Sequence, residues 1–304
     1  MQWFLHIGLH KTASTYFQKE VFPHWPNICY LGAPHQKSLR ELLLEEGEKL
    51  LLSREDLSGN PLAPGGSSWA AEHAAICRRL GRLLPTAKVM ISFRRQDRLL
   101  ASLYGQYIQQ GGTLPFGRFF DVEKDAGVVK RRDLLFRERV EAIIESFHEA
   151  PFIFLYEELV TSKRQLLERM AAFLGEPIEP SRIRDSIHNR SLGAPQARLL
   201  RWVNHFDRTP LHPRGVLPLT NPVSRRLGLD PRTIFQRHLQ WISGRRIELE
   251  PSVLDAIASL YADDWRWTLQ QSEGLTSPDL LFPATASPTR AQVQYPGVEG
   301  QSSL

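Results

Sequence analysis

Residues 3–18 read WFLHIGLHKTASTYFQ: an apolar run, a glycine at Gly8, a lysine at Lys11, then small hydroxyl residues opening an amphipathic helix. Such a segment suits a phosphate. Backbone N–H groups at a helix start point at the ligand, the helix dipole favours negative charge there, and Thr12, Ser14 and Thr15 add hydroxyl donors. In the loop that cradles nucleoside triphosphates, G-x-x-x-x-G-K-[ST], the lysine follows the second glycine at the helix start. The corresponding positions here are Ala13, Ser14 and Thr15. Lys11 lies inside the loop instead, which points to a different phosphate chemistry.

A loop of this kind needs a strand before it, a helix after it, and neighbouring strands that bring further side chains to the same rim. Apolar runs of strand type occur at 3–7, 28–31, 50–53, 88–92 and 152–156, each followed by a polar or helical stretch. Near-continuous apolar strands alternating with helical patterns predict an α/β fold. It has three layers, a parallel sheet of about five strands with helices on both faces. Ligands of such sheets bind beyond the carboxyl ends of the strands, so 8–15, 54–58 and 93–97 are expected along one rim.

Helical spacing is clearest in Leu99, Leu100, Leu103, Tyr104, Tyr107 and Ile108, with Gly111 and Gly112 as the stop. Residues 132–150 form a second helical pattern with Val140, Ile143, Ile144 and Phe147 inward, and 165–174 a third. Two more cover 195–206 and 251–271. Trp202, Trp265 and Trp267 read as core or as the wall of an acceptor cleft. The stretch 208–232, rich in proline, arginine and leucine, reads as a long loop or lid. The composition from about 276 onward predicts a disordered tail, leaving one domain over 1–275 and a tail over 276–304.

Composition narrows the classes. The chain has 304 residues, 42% of them hydrophobic, and no apolar run near the roughly 20 residues of a membrane span. The start of the sequence lacks a secretory pattern, which makes the cytoplasm the expected compartment. Cys29 and Cys77 are the two cysteines and have no ligand-like spacing, so neither a disulfide scaffold nor a metal site is expected. The net charge of +5 comes largely from arginine, without a recognition-helix, RNA-sheet or zinc-finger pattern. An anionic cofactor, rather than nucleic acid, accounts for it.

Three motifs in order carry a family resemblance: HKTAST at 10–15, FRRQDRLLASLY at 93–104, and a weaker third made of FLYEEL at 154–159 and HNRSLG at 188–193. Over roughly the first 195 residues the chain resembles the sulfotransferases that use 3'-phosphoadenosine 5'-phosphosulfate, PAPS. HKTAST is similar to their 5'-phosphosulfate loop P-K-S-G-T-T, with His10 in place of proline and Ala13 in place of glycine. The resemblance implies that Lys11, Thr12, Ala13, Ser14 and Thr15 hold that end of the donor. It implies that Arg94 and Ser102, eight residues apart, bind the 3'-phosphate, where a guanidinium supplies a planar donor fork. It implies that Arg190, in the weaker third motif, completes that pocket.

The implied reaction moves a sulfuryl group from PAPS to a hydroxyl or amine of a small-molecule or carbohydrate acceptor, with no metal. Lys11 is placed to stabilise charge on the oxygen that bridges sulfur to the leaving phosphate. Glu55, directly after the 50–53 strand, resembles a glutamate that carbohydrate-type and bacterial members use as a base. It reads equally as a loop carboxylate paired with Arg54. His10 is the rival base, or a binding and packing residue. Tyr156 and Glu157 read as structural residues at a strand end. Two other functions fit less closely. A nucleotide kinase of related fold would need a lysine where Ser14 stands and a carboxylate near 92–94 for magnesium. A non-catalytic sulfotransferase-like module would bind anionic glycans or a protein, without needing Lys11, Arg94 and Ser102 together.

Overall fold

The computed structural model describes residues 2–32, 48–63, 68–179, 183–184, 193–237 and 247–272. The five apolar runs are strands: β1 Gln2–Gly8, β2 Cys29–Gly32, β3 Lys49–Ser53, β4 Lys88–Phe93 and β5 Phe152–Leu155. All pair in parallel, in the order β2-β3-β1-β4-β5. This is the expected three-layer α/β arrangement.

Side chains alternate across each strand, and both sets are apolar because both faces are covered. Leu5 and Ile7 of β1, Leu50 and Leu52 of β3, and Val89, Ile91 and Phe93 of β4 enter one buried cluster. Phe4, Leu51, Met90 and Phe154 point the other way, into a second cluster. Helices α2 Trp69–Leu83, α3 Gln96–Gln109, α5 Phe136–Phe147 and α11 Pro251–Gln271 contribute to the first cluster. The second is closed by α7 Lys163–Leu174 and by α1 Ser14–Tyr16, which runs on through a π-helical turn at Phe17–Val21. Shorter helices are α4 Phe116–Phe119, α6 Tyr156–Thr161, α8 Ala194–Asn204, α9 Pro222–Leu227 and α10 Pro231–Arg237. Among the described residues no helix is long and apolar enough to cross a membrane.

The differences from the sequence reading have local causes. The fifth strand stops at Leu155, because Glu158 reaches back to accept the Leu155 N–H at 2.9 Å and opens α6 at Tyr156. The pattern at 132–150 splits into a short turn, Arg131–Leu134, and α5. Asp133 holds the turn by accepting the Lys130 N–H at 2.9 Å, and Asp264 of α11 fixes the start of α5 by accepting the N–H groups of Phe136 and Arg137. Ile144, expected inward, is 41% exposed; Val140, Ile143 and Phe147 fill the buried stripe without it. The stretch 208–232 is not a bare loop: Asn221 caps α9 by accepting the N–H groups of Val223 and Ser224, each at 2.9 Å, and Asp230 opens α10. The tail at 276–304 lies outside the described residues.

Helix α2 lies outside the helical patterns named above, although Ser68 supplies an N-cap acceptor to Ala71 and Trp69, His73, Cys77 and Leu80 recur at helical spacing. It lies along α5, and Gly81 sets how close the two approach: a Cβ there would collide with the backbone carbonyl of Ser146. Gly81→Ala therefore gains about 0.5–1 kcal/mol of helix propensity but forces the helices apart, an overpacking cost of about 1–3 kcal/mol. The expected net effect is a lower urea midpoint with an unchanged slope.

Candidate active site

The site follows from topology. Strand β1 is central, β3 and β2 extend the sheet to one side, and β4 and β5 extend it to the other. The loops leaving the carboxyl ends of β1 and β4 diverge across this switch point and open a crevice. The loop after β3 flanks β1 from the opposite side. Residues 8–15, 54–58 and 93–97 thus converge.

The β1 loop is tightly built. Gly8 has no room for a Cβ, which would strike Ser14 Oγ and come within 2.9 Å of His6 Cε1. Beneath it His6 is fully buried and pushed down to about 3 by that burial, so it stays neutral, with Nδ1 2.7 Å from Ser53 Oγ. Thr12 Oγ1 donates to the Leu9 carbonyl at 2.6 Å and, its proton spent there, accepts from Ser92 Oγ of β4 at 2.6 Å. Ser14 Oγ also turns toward Leu9 O, at 3.4 Å. Both hydroxyls are buried, and their contacts brace the loop from within. Thr15 is half-buried one residue into α1.

Lys11 and Ala13 adopt left-handed backbone conformations, with φ of 68° and 69°. For a side-chain-bearing residue this costs roughly 1–2 kcal/mol, a strain that is found at ligand loops. Alternating left- and right-handed residues turn successive N–H groups inward as an anion-binding concavity. Among the described residues no backbone carbonyl takes the N–H of Lys11, Thr12, Ala13 or Ser14.

Charge converges on this loop. Arg94, just after β4, donates from Nη1 to the Lys11 carbonyl at 3.2 Å and stacks its guanidinium 4.3 Å from the centre of the Tyr156 ring. Burial holds Lys11 below the ordinary lysine value, the Glu55 carboxylate works against that, and Arg232 and Arg94 reinforce it. Arg232, on α10, was not anticipated; only the tertiary fold brings it to Lys11. Tyr156, read as structural, is a platform that holds Arg94. Glu157 is buried and raised by burial, with Oε1 accepting the Arg95 N–H at 3.3 Å, and Arg95 itself is locked to Asp97 at 2.8 and 2.9 Å. These contacts fix the loop that carries Arg94.

Glu55 does not pair with Arg54, which forms its ion pair with Asp56. Its Oε2 lies 3.6 Å from His10 Nδ1. His10 Nε2 is 3.1 Å from the Gly59 carbonyl, which can only accept, so Nε2 carries a proton and Nδ1 is the nitrogen that meets Glu55, as an ion pair when it is protonated too. Burial holds His10 below the usual imidazole value, opposed by Glu55 and the Gly59 carbonyl and helped by Lys11 and Arg139. Its ring stands edge-on to Trp69 at 6.1 Å, and Trp69 is backed by the fully buried Arg139 guanidinium at 4.1 Å. The histidine is therefore held on two sides.

Ser102 is half-buried on the second turn of α3, and among the described residues no hydrogen bond joins it to Arg94. Arg190 lies outside the described residues. Trp265 is buried core, Trp267 stacks with Arg137, and Trp202 is 61% exposed. Among the described residues no group of three or more His, Cys, Asp or Glu side chains could hold a metal ion.

No protein-family model matches the chain, and no curated protein matches it. A solved structure does: the crystal structure of a sulfotransferase from Alicyclobacillus acidocaldarius aligns with a TM-score of 0.53 and 13% identity, over 91% of this chain and 97% of that one. At that identity the likeness is one of fold, and the chain has a sulfotransferase-like α/β fold.

Proposed function

We propose that the protein is a sulfotransferase that takes its sulfuryl group from PAPS. The observation that carries this reading is the convergence of Lys11, Arg94 and Arg232 on a strained loop whose N–H groups at 11–14 meet no backbone carbonyl among the described residues, a surplus of positive charge facing the Glu55 carboxylate. A donor with phosphates at both 5' and 3' positions fits that surplus. Ser14, standing where a kinase loop carries its lysine, is buried and turned toward Leu9, which weighs against the kinase reading.

PAPS supplies a sulfuryl group on a phosphate leaving group. The chain's own residues do the rest. The loop N–H groups and Lys11 hold the 5' end, and the Lys11 ammonium meets the charge that grows on the bridging oxygen as the sulfur–oxygen bond breaks. Arg94, flat on Tyr156 and aimed by Glu157 and Arg95, holds the 3'-phosphate as a fork. Glu55, whose side chain is 37% exposed against 15% for His10, faces the acceptor and takes its hydroxyl or amine proton as the new bond to sulfur forms. His10 Nδ1 then shares that proton from behind. The products are a sulfated acceptor and adenosine 3',5'-bisphosphate.

Calorimetric titration with adenosine 3',5'-bisphosphate tests the reading. Wild-type protein should bind it without magnesium, and Arg94→Ala should weaken binding by about 10- to 100-fold, the worth of hydrogen bonds from a charged donor. Binding of magnesium and ATP with no affinity for the bisphosphate would overturn the proposal.

A further inference from the structure

Charge and exposed apolar surface gather in the same stretch of this chain. Residues 194–232 hold seven arginines, two aspartates and neither lysine nor glutamate, a net of +5 that equals the charge of the whole protein. Both aspartates are buried and spent: Asp207 accepts from the Thr220 N–H and hydroxyl, and Asp230 from those of Thr233. The surface charge of the segment is arginine alone, with Arg198, Arg208, Arg214, Arg225, Arg226 and Arg232 exposed.

Eight of the eleven large hydrophobic side chains exposed among the described residues also lie here, between Leu199 and Leu229. They stand on a hydrogen-bonded scaffold. Trp202 meets Phe206 edge-on at 5.1 Å, and the Phe206 carbonyl accepts the Leu217 N–H at 2.8 Å while Leu217 O accepts from Arg208 N at 2.8 Å. Thr220 ties the next turn to Asp207, and the Asn221 cap fixes α9, whose Val223 and Leu227 share one face. Leu229 follows the left-handed Gly228, its N–H donated to Ser224 O at 2.8 Å. Apolar surface held outward this way marks an interaction face.

Complementarity selects the partner. Two copies of the chain meeting through this face would set +5 against +5. An anionic bilayer satisfies both components, with arginines at the headgroup phosphates and Trp202, Val223, Leu227 and Leu229 entering the acyl boundary, each basic side chain adding about 1 kcal/mol. We propose that residues 194–232 form a peripheral docking surface for membranes rich in anionic lipid.

The test is co-sedimentation of the full chain with vesicles of phosphatidylcholine alone or with roughly one-third phosphatidylglycerol. Wild-type protein should bind only the anionic vesicles, less as salt rises. Binding should fall about tenfold in Trp202→Ser/Val223→Ser/Leu227→Ser, which keeps every charge, and in Arg225→Glu/Arg226→Glu. All five side chains are exposed, so circular dichroism and thermal midpoint should stay as in the wild type. Three results would each overturn the proposal. One is no binding to anionic vesicles at low salt. Another is undiminished binding by the apolar triple variant, which would leave only the attraction of any basic protein. The third is a wild-type dimer in light scattering that the triple variant dissolves, which would assign the face to a second copy.

Discussion

Lys11→Ala should lower kcat for sulfuryl transfer by about 100- to 1,000-fold, the range seen when one preorganised donor to a developing oxyanion is removed. Structural damage would not explain such a loss. What acts on the ammonium is a set of charges: Glu55 favours its ionised form, Arg94 and Arg232 oppose it, and burial disfavours it most. Removing a lysine whose folded value is depressed takes away an unfavourable charge at every pH below its unfolded value, so the thermal midpoint should not fall. The same depression sets the alkaline limb. The protonated form is the active one, and it is lost as pH rises through a value below the ordinary lysine value of 10.5. Activity should therefore decline earlier on the alkaline side than a free lysine would allow. Lys11→Arg, which stays charged across that range, should recover part of kcat and remove the decline. An alanine variant with wild-type turnover of PAPS would sink the assignment.

Much of the fold was legible because the strands are buried on both faces. Leu50, Leu51 and Leu52 in a row can satisfy only a covered parallel sheet, and that pattern survives in the primary sequence. Placing the three loops on one rim followed from parallelism alone. Side-chain direction inside the loop was another matter: Thr12 and Ser14 have the right chemistry for a ligand, but a loop this short must satisfy its own Leu9 carbonyl, and their hydroxyls do that. Arg232 carries no local signal, since its position depends on α10 being fixed against α8, where Gln196 donates to the Phe235 carbonyl at 3.3 Å. Tyr156 was placed at a strand end without its role, because stacking under Arg94 depends on Glu158 turning the chain into α6 one residue earlier than the apolar run suggests.

Glu55 and His10 were rivals in the sequence, and their geometry makes them a pair. Because His10 Nε2 must donate to the Gly59 carbonyl, Nδ1 is the nitrogen that faces the carboxylate at 3.6 Å, and an acceptor's proton arriving between them has two places to rest. Glu55→Gln should lower kcat by about 100- to 10,000-fold, the usual worth of a general base, with donor binding little changed. His10→Gln keeps a donor for Gly59 and removes the second proton site, so its loss should be smaller. The acid limb separates the roles. In the wild type activity falls as pH drops through the lowered His10 value, because a protonated ring no longer offers the acceptor's proton a second place. In His10→Gln that titration is gone, and the part of the limb that the imidazole carries should disappear. An unchanged limb in His10→Gln would reduce the histidine to a packing residue against Trp69. Full activity in Glu55→Gln would move the base elsewhere on the rim. The pairing also explains why a histidine occupies the start of this loop: it is the one loop side chain that can bind Gly59 through one nitrogen and leave the other open to the carboxylate.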